Sequence, residues 1–140
     1  MARSRYESDE DLKHEWQVAD EWESRFNVIC TKLPWSYGAD FACWRDGKVV
    51  GLIEVKRRNL TIDTHDTFMI SERKRMECLR LGEYLGVPAV IVFKYKDGIY
   101  WADFSTERDF TEYGGRKKSD RDGQDIELMC HWVKSKFKRL

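Results

Sequence analysis

No run in this chain approaches the roughly 18 apolar residues that a membrane-spanning helix needs. No signal peptide opens it, so the expectation is a soluble, cytoplasmic protein with no membrane partner. No C-x-x-C occurs among its four cysteines, Cys30, Cys43, Cys78 and Cys130. That spacing does not suit structural zinc, and reduced thiols are expected. There is no net charge: 25 basic residues balance 25 acidic ones. A polycation that coats nucleic acid without selectivity is therefore disfavoured. There is no internal repeat. What is present is a chain of 140 residues, 41% hydrophobic and with six tryptophans. That is enough to bury one core, and a single domain over 1–140 is expected.

The balanced charge is unevenly spread. Residues 1–26 hold eight acids and four bases, and residues 116–140 hold eight bases and four acids. A neutral total with a basic segment is compatible with a protein that meets phosphate through an acidic, metal-holding site.

Local patterns give a coarse element order. Ser8-Asp9-Glu10-Asp11 resembles a capping box, with acids placed favourably at a helix start. Leu12, Trp16, Ala19, Trp22 and Phe26 recur at helical spacing, which predicts an amphipathic helix over about 9–26. A short strand is expected at 27–30, then a loop bracketed by Pro34 and Gly38. Residues 57–67 read as a polar loop, with one or two strand residues at 68–70. Ser71 is a candidate N-cap for a helix to Leu85, stopped by Gly86 with Pro88 beyond. Residues 88–93 are nearly all apolar, which suits a strand buried on both faces and parallel to its neighbour. A turn at 96–98 leads to an alternating strand at 99–104. Residues 105–125 are polar and read as a long loop. A last strand is expected at 126–133, followed by a basic tail at 134–140.

The chemistry concentrates near Asp40. Phe41 to Ile53 reads as two apolar strands joined by a tight turn at Asp46-Gly47, and Glu54-Val55-Lys56 follows. Glu54 and Lys56 are two apart on a strand and share a face. An Asp, a Glu and a Lys brought together by a hairpin can hold a hard cation and orient a water. If Asp46-Gly47 alone formed the loop in a regular ladder, Asp40 would oppose Ile53 and face away from Glu54. The expectation is therefore a three-residue loop, Arg45-Asp46-Gly47, with Gly47 left-handed; a further bulge near Asp40 is the other way to restore parity.

Asp40 followed by Glu54-x-Lys56 resembles the motif of the PD-(D/E)xK nucleases. These include type II restriction enzymes, archaeal Holliday-junction resolvases and small phage nucleases. A helix before the motif, a hairpin through it and a helix and buried strand after it match the family core over about 9–104, leaving 105–140 as an extension. Ala39 stands where the family often has proline. The resemblance implies an α/β fold: a central mixed sheet of four or five strands with helices on both sides.

It also implies site roles. Asp40 and Glu54 would bind Mg²⁺, for which Mn²⁺ can substitute, and the Val55 carbonyl is a candidate third ligand. Lys56 would position the attacking water or stabilise the charge of the transition state. The family often adds a first-helix glutamate to the catalytic group. Glu15, Glu21 and Glu23 are the candidates, and Glu15 is favoured because it borders the apolar face early in the helix. Arg57, Arg58 and Lys74 are candidates for phosphate contact, as are Lys117, Lys118 and Arg121 in the basic, glycine-rich segment. A solvated face is the competing reading for these charge runs. Asp63, His65 and Asp66 are better explained as a polar loop than as a metal site. Trp35 and Tyr37, just before Asp40, are candidates for touching substrate.

The function implied is a Mg²⁺-dependent endonuclease acting on DNA. With little room for a specificity module, structure-selective cleavage of branched DNA or non-specific nicking is favoured. A homodimer is common among such relatives. The alternatives are an RNase, a nuclease subunit of a larger complex, or a nucleic-acid-binding module without activity.

Overall fold

A computed structural model gives the structure of the protein and describes residues 8–115 and 126–140. The first helix, α1 (Asp9–Phe26), starts in a capping box: the Ser8 hydroxyl accepts from the Asp11 N–H at 3.1 Å, and the Asp11 carboxylate accepts from the Ser8 N–H at 3.3 Å. It ends at Asn27, which is left-handed at φ 54°. Its buried face is Glu15, Val18, Ala19 and Trp22. The sequence stripe is thus rotated slightly. Val18 takes the centre, while Trp16 stays 41% exposed and meets Phe41 edge-on. Small Ala19 and Val18 let the helix approach the sheet, and the large indole is left at the margin. This rotation buries Glu15 instead of leaving it at the border.

Among the described residues six strands form the central sheet, one more than the four or five expected. They are β1 (Ile29–Lys32), β2 (Phe41–Arg45), β3 (Lys48–Arg57), β5 (Ala89–Tyr95), β6 (Gly98–Asp103) and β9 (Lys138–Arg139), in that spatial order. β3 and β5 are parallel and the other pairs antiparallel, so the sheet is mixed. The parallel position of β5 follows from its composition, because both of its faces are covered. Val90 and Val92 join the core under α1, while Ile91 and Phe93 join the core on the opposite side. The basic tail is not free: residues 138–139 pair with β6.

The second core lies under α2 (Glu72–Leu85), which Ser71 caps and left-handed Gly86 ends. A separate three-stranded sheet completes that side: β4 (Thr67–Ser71), β8 (Ile126–Val133) and β7 (Phe110–Gly115), with β8 central. The long loop expected over 105–125 is therefore wrong over 110–115, while 116–125 lie outside the described residues. Residues 110–115 pair along 126–131. Phe110, Thr111 and Tyr113 favour a strand, but the surrounding glycines and charges hid it. Trp132, Phe68, Phe104 and Phe137 join the two sheets in one aromatic core, with Phe68 and Phe137 stacked at 4.1 Å.

The hairpin that carries the motif has a two-residue loop, not three. Arg45 pairs with Lys48, and Asp46 (φ 52°) and Gly47 (φ 74°) are both left-handed, as a type I′ turn requires. Parity is restored in the ladder instead. Trp44 pairs with Val49 but Cys43 pairs with Gly51, so Val50 is an extra residue. Beyond that bulge Phe41 opposes Ile53, which brings Asp40 level with Glu54.

Candidate active site

Asp40 ends the loop that enters β2. Its N–H donates to the Ile53 carbonyl at 2.9 Å, and its Oδ2 accepts from the Val55 N–H at 2.7 Å. Asp40 is thus clamped to β3 on either side of Glu54, by its backbone at Ile53 and by its carboxylate at Val55. Cys78 of α2 steadies the same loop, its thiol donating to the Gly38 carbonyl at 3.1 Å. Burial, followed by the nearby Glu54 charge, pushes that thiol up to about 12, which keeps it protonated as a donor.

Glu54 lies on the α2 side of the sheet and is 4% exposed. Lys56, two residues on, places its ammonium 3.4 Å from Glu54 Oε2. Lys74, in the first turns of α2, places its own 3.7 Å from Glu54 Oε1. Even so, the Glu54 carboxyl is pushed up to about 7: burial and the Asp40 charge outweigh the two lysines. Lys74 is shifted upward. Burial alone would lower it, but Glu54, Cys78, Glu77 and Asp40 together favour its charged form.

A third lysine, Lys32 at the end of β1, joins the other side of the cluster. Its ammonium lies 3.2 Å from Asp40 Oδ1 and 3.5 Å from Glu15 Oε1. Its position follows from the register, since Lys32 pairs with Phe41, over whose ring its ammonium sits at 5.3 Å. Glu15, Lys32, Asp40, Glu54, Lys56 and Lys74 thus form one cluster of three acids and three lysines across the ends of β1 and β3 and onto α2, with the two like charges of Asp40 and Glu54 at its centre.

A metal ion must be tested against this set. Asp40 and Glu54 are hard oxygen donors whose mutual repulsion keeps Glu54 from ionising freely, a tension that a divalent cation between them would relieve. Among the described residues, no three His, Cys, Asp or Glu side chains gather closely enough to hold a metal by themselves. Two carboxylates, a carbonyl and several waters suit Mg²⁺, which keeps much of its hydration. The donor set fits that ion.

Similarity to known proteins gives the family and the fold. The whole chain, residues 1–140, matches the family described as "Phage putative PDDEXK endonuclease". The chain belongs to this PD-(D/E)xK family. No curated protein matches it. Among solved structures it is similar to Archaeoglobus fulgidus Hjc, a Holliday junction resolvase from an archaeal hyperthermophile. The TM-score is 0.60 over 91% of this chain and 86% of that one, at 12% identity. That likeness establishes the restriction-endonuclease-like α/β fold.

Within that nuclease fold the sequence candidates fall into three groups. Asp40, Glu54, Lys56 and Lys74 lie together, and Glu15 reaches them through Lys32. Of the other helix glutamates, Glu21 is exposed and Glu23 accepts from the Cys30 N–H at 2.7 Å, tying α1 to β1. Val55 contributes its N–H to Asp40, with its side chain in the α1 core.

A second group is engaged elsewhere. Arg57 pairs with Asp11 at 3.5 Å. Arg58 donates to the Met69 carbonyl at 2.9 Å and lies over the Phe93 ring, where burial lowers its pKa. Lys117, Lys118 and Arg121 lie outside the described residues. Lys32 and Cys78 were not singled out from sequence. Lys32 could be found only through the β1–β2 register, and Cys78 only through the docking of α2 on the Gly38 loop. All four cysteines are free and buried, with Cys30 and Cys43 facing each other across β1 and β2 at 3.9 Å.

Proposed function

We propose that this nuclease is a divalent-metal-dependent DNA endonuclease whose catalytic group is Asp40, Glu54 and Lys56, with Glu15 acting from α1. The observation that carries this reading is the convergence of two carboxylates and a lysine where Glu54 is almost completely buried and its ionisation disfavoured. Asp40, Glu54 and the Val55 carbonyl would hold Mg²⁺ or Mn²⁺. The ion, when bound, lowers the pKa of a coordinated water and neutralises phosphate charge.

The chain's own groups supply the rest. Lys56, about one-third exposed and tethered to Glu54, presents an ammonium that can orient the nucleophile and meet charge developing on the phosphate. Lys74 faces the same carboxylate from α2 and can receive a neighbouring phosphate. Lys32 holds Glu15 and Asp40 in place through charge-assisted contacts, which makes it a positioning residue. Lys117, Lys118 and Arg121 remain proposed backbone contacts that would contribute salt-dependent affinity, whereas Arg57 and Arg58 would have to leave Asp11 and the Met69 carbonyl to do so. A compact catalytic unit of this kind suits branched or otherwise irregular DNA better than a long recognition sequence.

The test is a cleavage panel of supercoiled plasmid, blunt duplex, four-way junction, single strand and RNA, each with Mg²⁺ and with EDTA. Nicking or linearising of DNA with Mg²⁺ and none with EDTA is expected. Cleavage of RNA alone would move the protein to the RNase class, and no cleavage of any substrate would contradict the enzymatic reading.

A further inference from the structure

A groove of about 690 Å³ opens beside the site, between the loop that precedes Asp40 and the outer face of α2. Lys74, Glu77, Arg80, Leu81 and Tyr84 line it from the helix, and Tyr37 lines it from the loop. The helical residues recur at three- and four-residue spacing and so form one stripe. From Lys74 to Tyr84 the helix rises about 15 Å. The stripe therefore starts at the lysine that touches Glu54 and leads away from the reacting centre.

Its chemistry is unusual for a solvated helix face. Tyr84 is 89% exposed and Tyr37 is 61% exposed, so two aromatic rings stand in water on a surface that also carries Lys74 and Arg80. Glu77 offsets one of those charges, leaving the stripe net positive. Aromatic rings combined with cations along a track suit a strand whose bases are unstacked, because every base offers a face to a ring. The bases of an intact duplex are stacked on one another and offer none. The open groove has no enclosed pocket that would read base edges.

We infer that this groove holds a single-stranded DNA segment next to the cleaved phosphodiester, with Tyr37 and Tyr84 stacking on unpaired bases and Arg80 contacting a phosphate. The inference rests on the nuclease reading above and specifies its substrate: DNA that carries an unpaired arm beside the scissile bond. It accounts for a stripe that carries Lys74 at its start and Arg80 along its length while the tyrosines stay uncovered.

The experiment is fluorescence anisotropy with Ca²⁺ in place of Mg²⁺, using a duplex with one single-stranded arm and the matching blunt duplex. Tyr84→Ala should weaken binding to the armed DNA by about tenfold and leave the blunt duplex unchanged. Tyr84→Phe, which keeps the ring, should bind like the parent. Arg80→Ser should lower the salt slope for the armed DNA by about one. Tyr84 is so exposed that these variants pose little threat to folding. Equal affinity of parent and Tyr84→Ala for the armed DNA would overturn the inference, as would equal loss on both DNAs. Tighter binding of an RNA arm through the same tyrosine would also overturn the assignment to DNA. Mg²⁺-dependent cleavage of plasmid by the same variants is read separately, so the groove can fail while the nuclease reading stands.

Discussion

Glu54 shows what burying a single acid beside another costs in stability. In the metal-free protein its carboxyl is pushed up to about 7 by burial and by Asp40. An unfolded chain would release that proton near its ordinary value of 4.5. Between those two values the folded form binds a proton that the unfolded form has lost. Stability from this group is therefore complete below the lower value, falls as pH rises through the window and is flat above it. The total is about 3 kcal/mol, to order of magnitude. Glu54→Gln should remove this dependence, because an amide does not ionise. Urea denaturation in EDTA should find the variant about as stable as the parent at pH 4 and about 1–3 kcal/mol more stable at pH 8, although Lys56 and Lys74 lose a charged partner. Parallel pH profiles for the two proteins would contradict the shift. Asp40, Glu54 and Lys56 were legible in the sequence because period-two alternation and a turn signal bring them together. Lys32 was not legible, because its place depends on which residue of β2 it opposes.

At the scale of elements, sequence signals near backbone punctuation held best. Ser8, Ser71 and Gly86 mark helix ends where capping chemistry puts them, and Gly47 takes the left-handed conformation expected of it. The manner of restoring register was misread. Nothing in Val49-Val50-Gly51 signals that Val50 is the extra residue, since both valines suit a regular strand equally well. β7 was hidden for a different reason: its glycines and charged neighbours mask the strand preference of Phe110, Thr111 and Tyr113. Packing between elements leaves one sharper test. Gly82 sits where α2 crosses the start of β5. A Cβ there would lie 2.8 Å from the Val87 carbonyl oxygen and 3.3 Å from the Ala89 Cβ. Both atoms belong to the tight turn back into the sheet and cannot swing aside. Gly82→Ala should therefore lower stability by about 1–3 kcal/mol despite the better helix propensity of alanine. A thermal melt showing an unchanged or raised midpoint would mean that α2 can move off β5 freely.

Across the whole molecule, the neutral charge total conceals a deliberate arrangement. Three carboxylates and three lysines meet in Glu15, Lys32, Asp40, Glu54, Lys56 and Lys74, so the candidate site is close to charge balance although Asp40 and Glu54 repel each other. On the proposed reading an external cation would tip that balance toward phosphate, in accord with the divalent metals that PD-(D/E)xK nucleases generally use. The two-sided sheet makes this possible. Residues 52–56 alternate between the α1 and α2 cores, so one strand delivers its acid and its lysine to the same side while Ile53 and Val55 anchor it on the other. The central claim is that the two carboxylates hold the ion while Lys56 serves the reaction. It is tested most directly by titrating Mn²⁺ calorimetrically into Asp40→Ala, Glu54→Ala and Lys56→Ala, with plasmid cleavage measured on the same preparations. Lys56→Ala should bind Mn²⁺ about as tightly as the parent while its cleavage is abolished, and the two acid variants should lose both. Equal Mn²⁺ affinity in all three variants, or undiminished cleavage by Lys56→Ala, would contradict the account.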